Sequence, residues 1–115
     1  MAVNVRHREN VVILELSGKI FGPAALEFKR VFEEQIASCT GTPKFLVDFA
    51  DVTIMGSSGL GALTGSYVSV EQKGGLVALV NVGTSIQNLM IRSKLVEQFE
   101  PFDNEEKAIE ALNAE

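Results

Sequence analysis

The apolar positions of this chain fall into two rhythms that alternate along its length. Val3, Val5 and His7 alternate with Asn4, Arg6 and Arg8, the period of a half-exposed strand. Glu9-Asn10 reads as a turn, and Val11 to Leu16 gives a second strand closed by Ser17-Gly18. So short a turn predicts an antiparallel hairpin at a sheet edge. Gly22-Pro23 then marks a helix start, and Ala25, Phe28, Phe32 and Ile36 recur at helical spacing up to about Ser38.

Later segments repeat the change of rhythm. Phe45 to Phe49 is a short apolar run without alternation, which suits a strand buried on both faces. Ala50 to Met55 leads into a glycine- and serine-rich loop. Leu60, Leu63, Tyr67 and Val70 form a helical stripe that Lys73-Gly74-Gly75 should end. Leu76 to Val82 reads as another buried strand. Thr84 to Gln87 has capping-box spacing, and Ile86, Leu89, Met90 and Val96 continue as a helix. Phe99 to Phe102 makes a brief edge strand around Pro101. Asn104-Glu105-Glu106 opens a last helix with Ala108, Ile109 and Leu112 as its apolar face.

The predicted order is β-β-α-β-α-β-α-β-α. Buried strands alternating with helices imply parallel pairing through crossovers. The fold class is therefore α/β, with a mixed, mostly parallel sheet of four or five strands and about four helices. With 115 residues, positions 1–115 form one domain, and no repeat or linker interrupts them.

Charge narrows the partners. The formal net charge is −5, and the ten Lys and Arg are scattered. A nucleic-acid binder needs a basic face, so no nucleic-acid partner is expected. An anionic lipid surface is disfavoured for the same reason. No apolar run approaches the length of a membrane span, and Met1 to Asn10 is too polar for a secretory leader. We expect no membrane insertion and a cytoplasmic location. The single Cys39 excludes an internal disulfide and reads as a half-buried residue near a helix end.

Catalytic chemistry finds little material. His7 is the only histidine and falls in the predicted edge strand, where an exposed structural role suffices. One Cys and one His far apart in sequence give no metal-ligand pattern. Phosphate-binding glycine motifs are absent, since Gly56 to Gly61 lacks the Lys-Ser/Thr of a Walker loop. We expect no enzyme, catalytic residue, cofactor or metal.

The segment Gly56-Ser57-Ser58-Gly59-Leu60-Gly61 remains. It places two hydroxyls at the mouth of a helix, where unpaired N–H groups and the dipole tolerate negative charge. Ordinary N-capping by a serine is one reading of it. A phosphoacceptor is the other. Gly59, Gly61 and Gly65 either let the helix pack on its own sheet or let a partner approach closely.

Phe45-Leu46-Val47-Asp48-Phe49, followed by Gly56 to Gly61, resembles the signature of the STAS family, which includes the bacterial anti-sigma factor antagonists. Leu14 to Ile20 resembles that family's early strand-and-turn element, and Gly74-Gly75 before a buried strand also fits. The resemblance implies a switch protein. Unmodified antagonists of this kind bind an anti-sigma factor that is also a serine kinase, which frees the sigma factor. The kinase phosphorylates a serine and releases the antagonist, and a PP2C-type phosphatase resets it. By position the phosphorylated residue is Ser58, with Ser57 as the alternative. The implied partner-binding residues are Gly56, Ser57, Ser58, Gly59, Leu60, Gly61 and Thr64.

Two acids common in the family are missing. Gly56 stands where Asp usually precedes the serines, and Phe21 stands where another Asp often follows the Gly18-Lys19-Ile20 element. This departure keeps a second reading open: an unphosphorylated STAS subunit or scaffold of a lipid-transport or stress-signalling assembly. A sensor that holds an anion at the helix N-terminus is a third, without aromatic or basic lining to support it.

Overall fold

The computed structural model describes residues 2–92 and 100–114. The elements are β1 (Ala2–Arg8), β2 (Val11–Ile20), α1 (Pro23–Ser38), β3 (Lys44–Met55), α2 (Ser57–Gln72), β4 (Leu76–Val80), α3 (Thr84–Arg92), β5 (Glu100–Phe102) and α4 (Glu105–Asn113). One five-stranded sheet has the order β1-β2-β3-β4-β5. The β1–β2 hairpin is antiparallel and every other pairing is parallel. Glu9 and Asn10 both take positive φ, the geometry that a tight two-residue hairpin demands.

Alternating side chains along the buried strands supply two cores. Val12, Leu14 and Leu16 join Phe45, Val47, Phe49, Val77 and Leu79 under α1, α2 and α3. The rings of Phe28, Phe32 and Phe45 meet in sequence there, at centroid distances of 5.8 and 4.7 Å. Val11, Ile13, Leu46, Ala78 and Val80 face the other way, against Ala108, Ile109 and Leu112 of α4. Burial on both faces explains the unbroken apolar runs.

Some boundaries differ from the sequence reading. β2 does not stop at Ser17-Gly18. Gly18 takes a φ of 81°, and register shifts beside it bend the strand and let it continue to Ile20. Residues 50–55 are strand rather than a lead-in, pairing with that extension of β2. Their largely exposed side chains hide the period. β4 ends at Val80 rather than Val82, because Asn81 turns to a φ of 60° and donates to Asp48 Oδ1 at 3.1 Å. The capping box of α3 does not form. Gln87 N bonds Gly83 O, so Thr84 lies inside the helix, and the Gln87 side chain donates to Val82 O. Lys73-Gly74-Gly75 ends α2 as expected, but Lys73, read from sequence as a basic residue of the last turn, is the C-cap and lies outside it. Val96 and Phe99 lie outside the described residues.

The unexpected extensions of β2 and β3 set the place of the site. They carry both strands on to the loop that opens α2, with Ile20 and Met55 still in the core.

Candidate functional site

Adjacent parallel strands end side by side here. Ile20 pairs with Met55, and Gly56 N donates to Ile20 O at 3.1 Å. Both chains then turn into helices, so α1 and α2 begin next to each other. Gly22 is the N-cap of α1 with a φ of 58°, a conformation natural to glycine, and Pro23 follows in the first turn. Gly56 is the N-cap of α2 in extended conformation.

Neither serine caps α2. Ser57 and Ser58 are its first two helical residues, and no side chain caps that terminus. The N-capping reading is thereby corrected: the cap position falls on Gly56, which has no side chain to serve it. Ser58 Oγ instead accepts a hydrogen bond from Gly22 N at 3.0 Å. Its hydroxyl therefore sits between the N-termini of two helices, and it is exposed. Ser57 is also exposed and lies one residue nearer the cap.

The remaining expected contact residues divide by burial. Gly61 is exposed, and a β-carbon there would meet nothing within 4 Å. Gly56 is half-buried. Thr64 is half-buried, and its hydroxyl donates to Leu60 O at 2.9 Å. Gly59 and Leu60 are buried, so they shape the loop rather than present it. A β-carbon on Gly59 would fall 2.5 Å from Ile20 O and 2.9 Å from Met55 Cγ. Gly59 thus lets α2 close onto the sheet. Gly65 has room for a β-carbon beside Lys29 of α1.

Phe21 and Gly56 turn out to be neighbours. A β-carbon on Gly56 would lie 3.1 Å from Phe21 Cβ and 3.9 Å from its Cγ. Two positions that sequence singled out separately are one contact.

His7 and Cys39, far apart in sequence, line a common surface cavity of about 450 Å³ with Gln35 and Lys44. It lies by the α1 C-terminus, where Cys39 Sγ donates to Gln35 O at 3.3 Å. Among the described residues, no three His, Cys, Asp or Glu side chains cluster to hold a metal. No helix among them is long and apolar enough to cross a membrane.

The STAS domain model matches residues 2–108. This chain belongs to the STAS family. Among similar proteins is an anti-sigma F factor antagonist of Paenibacillus polymyxa, 27% identical over 112 residues, covering 97% of this chain and 95% of that one. The STAS domain also superposes on an anti-sigma factor antagonist from Mycobacterium paratuberculosis. That match has a TM-score of 0.84 and 20% identity, covering 96% of this chain and 92% of the other. The phosphorylated form of the Bacillus cell fate determinant SpoIIAA matches with a TM-score of 0.76 and 21% identity, over 97% of this chain and all of that one. At such identities the structural likeness is one of fold.

Sequence reasoning missed how this STAS domain uses Gly22. No local pattern shows that a backbone N–H 36 positions away holds the Ser58 hydroxyl. The contact arises from the strand extensions that bring two helix starts together.

Proposed function

We propose that this STAS domain is an anti-sigma factor antagonist, switched by phosphorylation of Ser58. The observation that carries this reading is the Ser58 hydroxyl: exposed, beside two helix N-termini, and not serving as the cap of its own helix. The name of the Paenibacillus relative supports the role. In the unmodified state the loop around Gly56, Ser57, Ser58 and Gly61 docks on an anti-sigma factor and frees the sigma factor it held.

The same partner, as a serine kinase, transfers the γ-phosphoryl group of ATP to Ser58. The Oγ–P bond forms, the bond from the γ-phosphorus to the bridging oxygen breaks, ADP leaves, and the hydroxyl proton passes to a base of the kinase. The product carries about −1.5 to −2 charge at pH 7. Two adjacent helix N-termini accommodate that charge within the fold. A docked protein surface has no room for it, so the complex dissociates. Hydrolysis by a PP2C-type phosphatase restores the hydroxyl.

Intact-mass measurement after incubation with an anti-sigma kinase from the same cells and ATP tests this directly. The expected result is a gain of one phosphoryl group, retained in Ser57→Ala and lost in Ser58→Ala. No gain, or a gain that survives Ser58→Ala, contradicts the reading.

A further inference from the structure

Charge is absent from two stretches of chain that meet beside Ser58, and exposed Lys19 adjoins them, next to Ile20 and in register with Ile54. From Val52 to Val70 the chain has no Asp, Glu, Lys or Arg, and from Ile20 to Leu26 it has none either. These two stretches meet at the Gly22–Ser58 hydrogen bond. Large apolar side chains stand exposed in both: Phe21 is 49% exposed, Leu26 72% and Ile54 49%. Phe21 touches the Gly56 position, and Leu26 lies one turn into α1, where its N–H bonds Gly22 O. Ile54 lies two residues before Gly56, on the strand extension paired with β2. On a protein of net charge −5, these exposed apolar side chains, on two stretches joined at one hydroxyl, mark a recognition surface.

We infer that Phe21, backed by Gly56 and flanked by Leu26 and Ile54, is the specificity-determining contact of the switch, docking an uncharged apolar face of the anti-sigma factor. This rests on the proposed function and adds how the partner is chosen. A basic partner face gains nothing here, because the rim offers it no acid. An apolar face gains from burying Phe21, an aromatic of the kind that anchors interfaces. The same chemistry sets how phosphorylation acts. A phosphoserine is solvated in the free protein. In the complex it would be shut away from water among largely apolar side chains, so desolvation drives release.

An uncharged partner face offers Lys19 no charge to pair with, so the predicted complex is insensitive to salt. Its affinity changes by less than about threefold between about 50 and about 500 mM sodium chloride, since screening acts on charge pairs. Phe21→Ala weakens it about tenfold or more, and Phe21→Asp weakens it further. Neither unfolds the domain, which thermal unfolding of each variant verifies, because the ring is half in solvent.

The experiment replaces Phe21 by photoreactive p-benzoylphenylalanine in the native cells and identifies what cross-links to it. Support is an anti-sigma factor kinase cross-linked through an uncharged apolar peptide, lost with Ser58→Asp, with the salt and Phe21→Ala results above for the purified pair. If that kinase co-purifies and responds to Ser58 but does not cross-link at 21, tolerates Phe21→Ala, or lets go as salt rises, the inference is overturned and the proposed function stands. A cross-link to a protein of another class, or neither cross-link nor co-purified kinase, overturns both.

Discussion

The N-termini of α2 and α4 are built from opposite materials. At α4, Asn104 Oδ1 accepts from Lys107 N at 2.9 Å, and Glu105 and Glu106 occupy the first turn. Glu105 bonds Arg6 at 2.5 Å and Arg8 at 2.7 Å, and Arg6 also pairs with Glu15. The end of that helix is satisfied by a cap, by acids at the positive pole and by two guanidinium groups from β1. At α2 the cap is a bare glycine, the first turn holds no acid, and the Ser58 hydroxyl serves the neighbouring helix. A helix start left without anionic compensation tolerates added negative charge better than one already compensated. Ion pairs tie the start of α4 to β1, and the first turn of α2 holds no acid.

The largest expected effect breaks the close approach of α2 to the sheet. Gly59→Ala drives a β-carbon into Ile20 O and Met55, and should cost about 2 to 3 kcal/mol in denaturant unfolding. A cost near zero would show that α2 is not held down at its start.

The side-chain hydrogen bonds at the two helix starts differ next. Asn104→Ala should cost about 1 kcal/mol. Ser58→Ala should stay within about 0.5 kcal/mol, since water can replace the hydroxyl at the exposed Gly22 N–H. Equal costs at both sites would erase the contrast drawn between them.

Acid should act on the α4 end. Hydrogen bonds from Arg6, and then from Arg8, hold the Glu105 carboxyl below its ordinary value of 4.5. Glu15 is lowered as well, by hydrogen bonds from Asn4 and then Arg6. A carboxyl with a depressed folded-state pKa contributes stability that is present above its unfolded value and lost as pH falls through the folded one. Stability should therefore decline below about pH 4.5, and Glu105→Gln should flatten that decline while costing about 1 kcal/mol at neutral pH. Calorimetric melting temperatures from neutral to acid pH check both; an unchanged acid limb in Glu105→Gln would remove the cluster from the account.

The smallest effect is a gain. Gly61 is helical and open to solvent, so Gly61→Ala should stabilise the domain by about 0.5 to 1 kcal/mol. A loss of stability would mean that a neighbour uses that space.

The fold was largely legible because its signals are local. Runs buried on both faces, helical stripes and the turns at Glu9-Asn10 and Gly22-Pro23 placed each element and the parallel pairing. The misplaced ends of β2 and β4 share one cause. Gly18 and Asn81 take positive φ, and what each does there, continuing one strand and ending another, depends on its neighbours in the sheet. In the site, sequence marked Ser57, Ser58, Gly56 and Phe21. It did not show that Gly56 and Phe21 touch, that Gly22 holds Ser58, or that Gly59 belongs to the domain's own packing. Those are contacts across more than thirty residues, and only the register of β2 against β3 creates them.

The central claim is that a phosphate on Ser58 abolishes docking without disturbing the fold. Titration calorimetry of the purified anti-sigma factor against the domain, unmodified and with phosphoserine incorporated at position 58, measures this most directly. The account predicts that affinity falls about 100-fold or more, roughly the consequence of burying an unpaired charge, while the melting temperature of the free domain is unchanged or raised. Equal affinity for the two forms, or loss of binding accompanied by unfolding of the phosphorylated domain, would contradict it.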